Sequence, residues 1–332
     1  MGFVLQFLKS QLFTKLPYPT SDFTGQTIII TGSNTGLGLE AARHIVRLGA
    51  AKVILAVRTI AKGEAAARDI IASTGVKQNV IEVWPLDLSD YESIKSFAAR
   101  VQTLDRLDAL CQNAGIMTSN FTFVQDNEGH ITINVISSTL LGLLVLPKLK
   151  ETSQRFGVRT RLSFVGSDLQ YIAKYKEGEA SGSIIDTLAK KEGIDMGDRY
   201  NVSKLLLLFN VRELAARSPL SPSSNVVINY LTPGACQSDL FRDDMGWLRA
   251  VIQGVLVKLI ARTTEVGSRT LVHSVKPDIE DNAHGAFLMD CRVMPNGSNI
   301  DSPKGQKNQK RWIEEFFPKL ESIAPGCTKV LN

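Results

Sequence analysis

From residue 27 to residue 289 the chain alternates short β-branched runs with stretches whose apolar positions recur at helical spacing. Thr27-Ile28-Ile29-Ile30 predicts a buried first strand, and Leu39 to Leu48 a helix behind it. Lys52 to Val57 predicts a second strand, followed by an alanine-rich helix over Lys62 to Ser73. Val80 to Trp84 with Tyr91 to Gln102, then Leu107 to Cys111 with Ile131 to Leu149, continue the pattern. A strand over Arg161 to Val165, a helix over Val202 to Arg217, a strand over Val226 to Leu231, a helix near Thr264 to Ser274 and a short strand at Gly285 to Met289 complete it. Such alternation builds a parallel sheet, because each right-handed crossover lays its helix back on the sheet. The expected fold is α/β: a single-domain, doubly wound, mostly parallel Rossmann sheet with helices on both faces. The expected organisation is an N-terminal amphipathic arm over 1–22, a Rossmann domain over 23–292 with a substrate lid at about 239–262, and a C-terminal extension over 293–332.

Two apolar stretches stand apart from this alternation. Met1 to Leu16 carries Phe3, Val4, Leu5, Phe7, Leu8, Leu12 and Phe13 with Lys9 and Lys15 among them. That run is too short and interrupted to span a bilayer. It suits an amphipathic helix that lies on a membrane surface or packs on its own domain or on a subunit neighbour. The run Leu140 to Leu146 also falls short of the roughly 20 residues a span needs, and Pro147 with Lys148 is expected to end it. A core or subunit-interface helix is the reading there.

Composition narrows the class. With 332 residues, 44% hydrophobic and 21% charged, the chain is globular rather than disordered. Its +5 balance is scattered, apart from Lys304, Lys307, Lys310 and Arg311, which suit a solvated terminal helix face. No basic stripe or aromatic platform invites nucleic acid. Cys111, Cys236, Cys291 and Cys327 are widely spaced, as are His44, His130, His273 and His284, so neither zinc spacing nor a disulfide framework is expected. Reduced thiols fit a cytoplasmic protein.

The chemistry gathers at strand ends, where an open α/β sheet holds its ligand. Thr31-Gly32-Ser33-Asn34-Thr35-Gly36-Leu37-Gly38 joins the first strand to its helix. Glycines let the backbone take positive φ and admit close approach, and free N–H groups at the new helix face an anion such as a pyrophosphate. Arg58 ends the second strand, twenty residues beyond Gly38. An acid at this distance would bind ribose hydroxyls, whereas an arginine can pair with a 2′-phosphate, so the site favours NADP over NAD. Asp87-Leu88 follows the third strand, where the carboxylate could accept from an adenine amino group or cap the next helix with Ser89 and Asp90. Asn113-Ala114-Gly115 follows the fourth. Asn134 is a polar residue in an apolar helix, either a structural link or part of a proton path. Gly166-Ser167 ends the fifth strand, and Tyr200 and Lys204 share one helical face. A tyrosine whose pKa is near 10 needs a cation beside it to act as acid or base at neutral pH. Ser167 could hold a substrate oxygen.

Together these residues resemble the short-chain dehydrogenase/reductase family. The glycine loop, Asp87-Leu88, Asn113-Ala114-Gly115, Asn134, Ser167, Tyr200-Asn201-Val202-Ser203-Lys204 and Pro233-Gly234 with Ser238 follow the family's order over about residues 25 to 290. The loop, Arg58 and Arg262-Thr263-Thr264-Glu265-Val266-Gly267 look like the retinol-dehydrogenase-like branch and its fungal relatives in secondary metabolism. The resemblance implies that Tyr200 exchanges a proton with a carbonyl or alcohol and that Ser167 orients and polarises the substrate oxygen. It implies that Lys204 bonds the nicotinamide ribose and lowers the tyrosine's pKa, and that Asn134 supports a water linking Lys204 to solvent. It also implies that Gly32, Ser33, Asn34, Gly36, Leu37 and Gly38 cradle the diphosphate, while Asn113 and Pro233, Gly234 and Ser238 close on the cofactor's ribose and carboxamide.

Three departures stand out. Gly166 replaces a common serine, Gln112 stands where a small or apolar residue is usual, and a 32-residue stretch, Asp168 to Arg199, separates Ser167 from Tyr200. That stretch is expected to form part of the substrate mouth. Phe241 to Ile260, with Trp247, Leu248, Val251, Ile252, Val255, Leu256 and Leu259 at helical spacing, suits a lid or a packing helix, with Tyr171 and Tyr175 opposite it. The expected activity is NADP(H)-dependent transfer of hydride to or from a lipophilic carbonyl or secondary alcohol, by a monomer or homodimer. The alternatives are a cofactor-binding scaffold or regulator and a non-redox dehydratase or epimerase.

Overall fold

The computed structural model describes residues 2–222, 224–237 and 260–331. The first strand, β1 (Thr27–Thr31), is buried along its whole length because helices cover both faces of the sheet. Behind it come α2 (Gly36–Arg47), β2 (Lys52–Val57), α3 (Ile60–Thr74), β3 (Ile81–Pro85) and α4 (Tyr91–Gln102), following α1 (Phe3–Phe13) at the N-terminus. The second half contributes β4 (Ala109–Gln112), a two-stranded hairpin of β5 (Phe123–Val124) and β6 (Asn127–Glu128), α5 (Ser138–Phe156), β7 (Thr160–Val165), α6 (Ile184–Ala189), α7 (Met196–Arg217) and β8 (Val226–Thr232). After the undescribed segment come α8 (Thr264–Ser274), β9 (Phe287–Met289), β10 (Arg292–Met294), α9 (Ser298–Asp301) and α10 (Pro303–Ile323).

The main sheet runs β10-β9-β8-β7-β4-β1-β2-β3, parallel throughout except for β10. This is the doubly wound Rossmann order, in one domain. Strand order reverses between β1 and β4, whose carboxyl ends therefore flank the ligand crevice. One face of the sheet packs Ile28, Ile30, Val53 and Leu55 against α2, α3 and α8; the other packs Ile29, Leu110 and Leu162 against α4, α5, α7 and α10.

Several boundaries differ from the expectation, each for a physical reason. Pro147 does not end its helix: α5 continues to Phe156. Proline withholds one N–H, but Leu140, Leu141, Leu146 and Leu149 are fully buried around it. Among the described residues one helix, Ile131–Phe156, is long and apolar enough to cross a membrane, and it is a core element with 83% of its apolar window buried. The C-terminal stretch closes the core, since α10 buries Trp312, Phe316 and Leu320, and the Trp312 indole donates to Asn210 at 2.8 Å. Its basic cluster is only partly solvated. Lys304, Lys307 and Lys310 are exposed, but Arg311 donates to the carbonyls of Gly178 (3.0 Å) and Gly182 (2.7 Å).

The N-terminal arm packs on its own domain. Ser10 is buried and donates to Asp290 at 2.8 Å, and the Gln11 amide donates to Ala235 at 2.8 Å and to Ile260 at 3.3 Å. The opposite face of α1 keeps Val4, Leu5, Leu12 and Phe13 in solvent.

Candidate active site

The glycine loop lies where the sheet order reverses. Gly32 and Gly36 sit at φ +64° and +60°, a backbone region that other residues rarely adopt. A Cβ on Gly36 would meet nothing within 4 Å, so this edge of the loop opens outward at the start of α2. Gly38 serves a different need: a Cβ there would come within 2.8 Å of the Gly32 carbonyl and 2.7 Å of the Asn113 amide. Ser33 is buried and donates to the Ile30 carbonyl at 2.8 Å, which folds the loop back on β1. Asn34 and Leu37 are half-buried beside it. Asn113, just past β4, donates to the carbonyls of Thr31 (3.0 Å) and Gly32 (3.2 Å) and so ties the two walls of the crevice together.

At the next strand ends, Arg58 is exposed and makes no side-chain hydrogen bond or ion pair among the described residues. Asp87 is half-buried; its Oδ1 accepts from the Ser89 N–H (2.9 Å) and hydroxyl (2.7 Å), while Asp90 caps α4. Leu88 is buried, and its carbonyl accepts from Ser137 at 2.6 Å.

Asn134 lies in a π-helical stretch, Ile131–Ser137, that leads into α5. Such wide turns are frequent at functional sites. Its Oδ1 accepts from the Ile116 N–H (2.9 Å), and its amide donates to the Ile116 carbonyl (2.9 Å) and to Ser203 (3.2 Å). The side chain therefore links the end of β4 to α7, where Tyr200 and Lys204 stand one turn apart.

Lys204 is buried, with its Nζ donating to the Val165 carbonyl at 2.9 Å and lying 5.5 Å from the centre of the Tyr200 ring. Burial pushes its pKa down to about 8. The Tyr200 phenol is held above its usual range, chiefly by burial and then by the Asp168 carboxylate, against which the Ser167 hydroxyl acts. In the chain alone the direction is upward, opposite to the lowering that the resemblance implies for Lys204, because burial disfavours the phenolate. Ser167 is extended at the end of β7, and its Oγ accepts from the Leu169 N–H at 3.2 Å. Its own proton faces the Tyr200 phenol and the Asp168 carboxylate, and it acts to lower the pKa of both.

The Pro233–Gly234 turn past β8 is held by the arm. Pro233 accepts from Arg262 at 3.2 Å; Arg262 in turn pairs with Asp290 at 2.7 Å and bonds the Ser10 carbonyl at 2.7 Å. A Cβ on Gly234 would come within 2.3 Å of the Gln11 amide oxygen, so the space beside this glycine belongs to α1. Ser238 and 239–259 of the expected lid lie outside the described residues.

The flanking stretch differs from expectation at Tyr175. That residue is buried against Phe209, with ring centres 6.1 Å apart, and does not border a mouth. Tyr171 is half-buried between Phe3 and Phe287.

Sequence reasoning missed two features, and it marked a third, Gln112, without saying what surrounds it. Glu128 and His130 form a buried pair at 2.8 Å beneath Tyr200, whose ring meets the imidazole edge-on at 6.3 Å; nothing in their spacing marks them. Gln112 is buried with neither amide atom partnered. Tyr230 places its hydroxyl on the backbone of Ser167, and the signal for it, the glycine at 166, becomes legible only once the strands are in register.

A family model described as short chain dehydrogenase matches residues 26–158. The short chain dehydrogenase/reductase dmxR8 of Cryptosporiopsis sp. (strain 8999) is 44% identical over 327 residues, covering 97% of this chain and 98% of that protein. The short chain dehydrogenase atnD of Emericella nidulans is 42% identical over 291 residues, covering 87% and 91%. Among solved structures, a Shigella flexneri protein assigned as a short chain dehydrogenase and complexed with NADP superposes with a TM-score of 0.58 at 20% identity, over 82% of this chain and all of that one, a likeness of fold. With relatives this similar over nearly its full length, the chain belongs to the short-chain dehydrogenase/reductase family of oxidoreductases.

Proposed function

We propose that the protein is an NADP(H)-dependent oxidoreductase that interconverts a carbonyl and an alcohol on a lipophilic small molecule, a ketone with its secondary alcohol or an aldehyde with its primary one, as a ketone or aldehyde reductase of secondary metabolism in the cytoplasm. The observation that carries the reading is the convergence of Ser167, Tyr200 and buried Lys204 at the strand ends that flank the glycine loop.

The residues present fit a nicotinamide dinucleotide. The loop's open edge at Gly36 admits a diphosphate at the start of α2, and Arg58 offers a 2′-phosphate a guanidinium that no described residue pairs with. When bound, the dinucleotide supplies or takes up the hydride. The chain handles the proton. Tyr200 donates its phenolic proton to the carbonyl oxygen in reduction and takes it back in oxidation, and the Ser167 hydroxyl, which faces the Tyr200 phenol in the chain alone, turns its proton to the same oxygen. Charged Lys204 stabilises the phenolate that Tyr200 becomes. Asn134 holds the end of β4 against α7, so that these groups keep their spacing.

The lipophilic substrate rests on the apolar periodicity of Phe241 to Ile260. A peripheral membrane contact through Val4, Leu5, Leu12 and Phe13 belongs to the same proposal, supported by their exposure on α1.

The test is NADPH oxidation with naphthaldehyde as the carbonyl probe, together with quantification of the alcohol. Tyr200→Phe should abolish turnover while NADPH still binds, with one alcohol formed per NADPH consumed by the unmodified protein. Retained turnover in the variant overturns the assignment. NADPH binding without any alcohol formed points instead to a scaffold or to non-redox chemistry.

A further inference from the structure

Gly166 is the position at which this chain departs from the serine common in its family, and the structure shows what occupies the space. A Cβ built on Gly166 would lie 1.7 Å from Cζ of Tyr230, 2.1 Å from its Cε2 and 2.2 Å from its hydroxyl oxygen. These distances exclude any side chain at 166 while the tyrosine keeps its place. The ring gets there along the sheet. Tyr230 pairs in register with Phe164, two residues before Gly166, and leans past it, while the Gly166 N–H still bonds the Leu231 carbonyl at 2.7 Å. Tyr230 is fully buried and packs on Phe287, with ring centres 5.7 Å apart.

A phenylalanine would fill the same volume, so the hydroxyl is what needs an explanation. It accepts from the Ser167 N–H at 2.8 Å and shares its own proton between the carbonyls of Ser167 (3.0 Å) and Lys204 (3.2 Å). One oxygen therefore fixes the backbone on both sides of the Ser167 side chain and ties it to the turn of α7 that carries Lys204. The amine of Lys204 bonds Val165 from the other side. Residues 165–167 are thus fastened to Lys204 at both ends of that residue, through its backbone and through its side chain.

We infer that Tyr230 is a positioning residue for the catalytic groups, and that Gly166 and Tyr230 form an interlocked pair in which the glycine exists to admit the tyrosine. The inference rests on the reading of Ser167, Tyr200 and Lys204 given above. Its physical content is preorganisation: the direction of the Ser167 hydroxyl relative to the Tyr200 phenol is set by the Ser167 peptide, and Tyr230 holds that peptide. A displacement on the order of 1 Å at a reacting group lowers rate by as much as about 100-fold.

The experiment compares Tyr230→Phe, Tyr200→Phe and the unmodified protein, with NADPH and naphthaldehyde as reactants. The expected result for Tyr230→Phe is a kcat lower by about 10- to 100-fold, with the KM for naphthaldehyde and the NADPH dissociation constant within about twofold of the original. A tyrosine that only filled the core would leave kcat unchanged. Unchanged kcat in Tyr230→Phe beside a dead Tyr200→Phe overturns this inference alone, whereas an active Tyr200→Phe overturns the reading beneath it. The interlock is read separately by thermal unfolding, which needs no substrate. Gly166→Ala should melt well below the unmodified protein, and Gly166→Ala combined with Tyr230→Leu should melt above Gly166→Ala alone. Gly166→Ala with an unchanged melting temperature, or a double variant no better than the single one, overturns the interlock.

Discussion

Replacing Lys204 by methionine should stabilise the cofactor-free protein while removing its activity. The amine is buried, and its pKa falls from 10.5 to about 8. At about 1.4 kcal/mol for each factor of ten, that displacement corresponds to about 3 kcal/mol of disfavoured charge. Methionine has a similar length and no charge, so it removes this cost. It also removes the Nζ bond to the Val165 carbonyl at 2.9 Å. Val165 is half-buried, which places that loss near the usual net value of about 1 kcal/mol. The variant should therefore be about 2 kcal/mol more stable at pH 7.

The pH dependence separates the two contributions. Below pH 8 the amine is charged in the folded and the unfolded chain alike, and the original protein carries the whole desolvation cost. Between pH 8 and 10.5 the unfolded chain still binds the proton that the folded chain has released, so the original protein gains stability as pH rises. Above 10.5 the amine is neutral in both states, and only the hydrogen bond remains, in favour of lysine. The order of stability should reverse across this window, from the variant leading by about 2 kcal/mol to the variant trailing by about 1 kcal/mol. Urea unfolding of both proteins from pH 7 upward, each in a Tyr200→Phe background so that the phenol's own titration drops out, reads the difference directly. A difference that stays constant with pH, or a variant already less stable at pH 7, refutes the reasoning.

Two further outcomes follow from residues around the crevice. Arg58→Ala should weaken NADPH binding by about 10- to 100-fold, as expected for a lost charge-assisted pair, with NADH binding and stability little changed, since the side chain is exposed and has no partner among the described residues. Parallel fluorescence titrations decide this, and an unaltered preference removes Arg58 from the site. Deleting residues 2–13 should raise the NADPH dissociation constant about tenfold, about 1.4 kcal/mol, because the Pro233–Gly234 turn loses Gln11 and Ser10 as supports; an unchanged constant would make α1 a bystander.

The strands and most helices were legible because the sheet is buried on both faces, so each parallel strand is a β-branched run and each crossover helix carries an apolar stripe. What failed to show were elements whose signals depend on partners far along the chain. Pro147 reads as a helix end until the leucines packed around it are in view, and α10 shows as charge because its buried Trp312, Phe316 and Leu320 are diluted among lysines and glutamates. The same division applies to the crevice. Gly36, Asn113, Ser167, Tyr200 and Lys204 are visible because their chemistry demands those residue types at those places. The groups that hold them, Tyr230, Glu128, His130 and the Ser10–Arg262–Asp290 cluster, are ordinary core residues in sequence and become meaningful only through contacts across the fold.

That division bears on how the protein tolerates a fully buried lysine beside a phenol. Among the described residues Lys204 has no carboxylate partner and lies against a carbonyl and an aromatic ring, so its charge persists at neutral pH at a cost to stability. The compensation is spread through rigid surroundings: Tyr230 ties the Lys204 backbone to Ser167 just past β7, Asn134 ties Ser203 to Ile116 in the loop after β4, and Arg199 at the start of the same turn pairs with Glu177 at 3.0 Å. Each tie is local, and together they keep α7 from moving the amine out toward water, where it would recover its hydration but leave Tyr200 without a neighbouring charge. The cost sits on the residue whose charge the proposed chemistry uses, which is why stability and activity are expected to part company at Lys204.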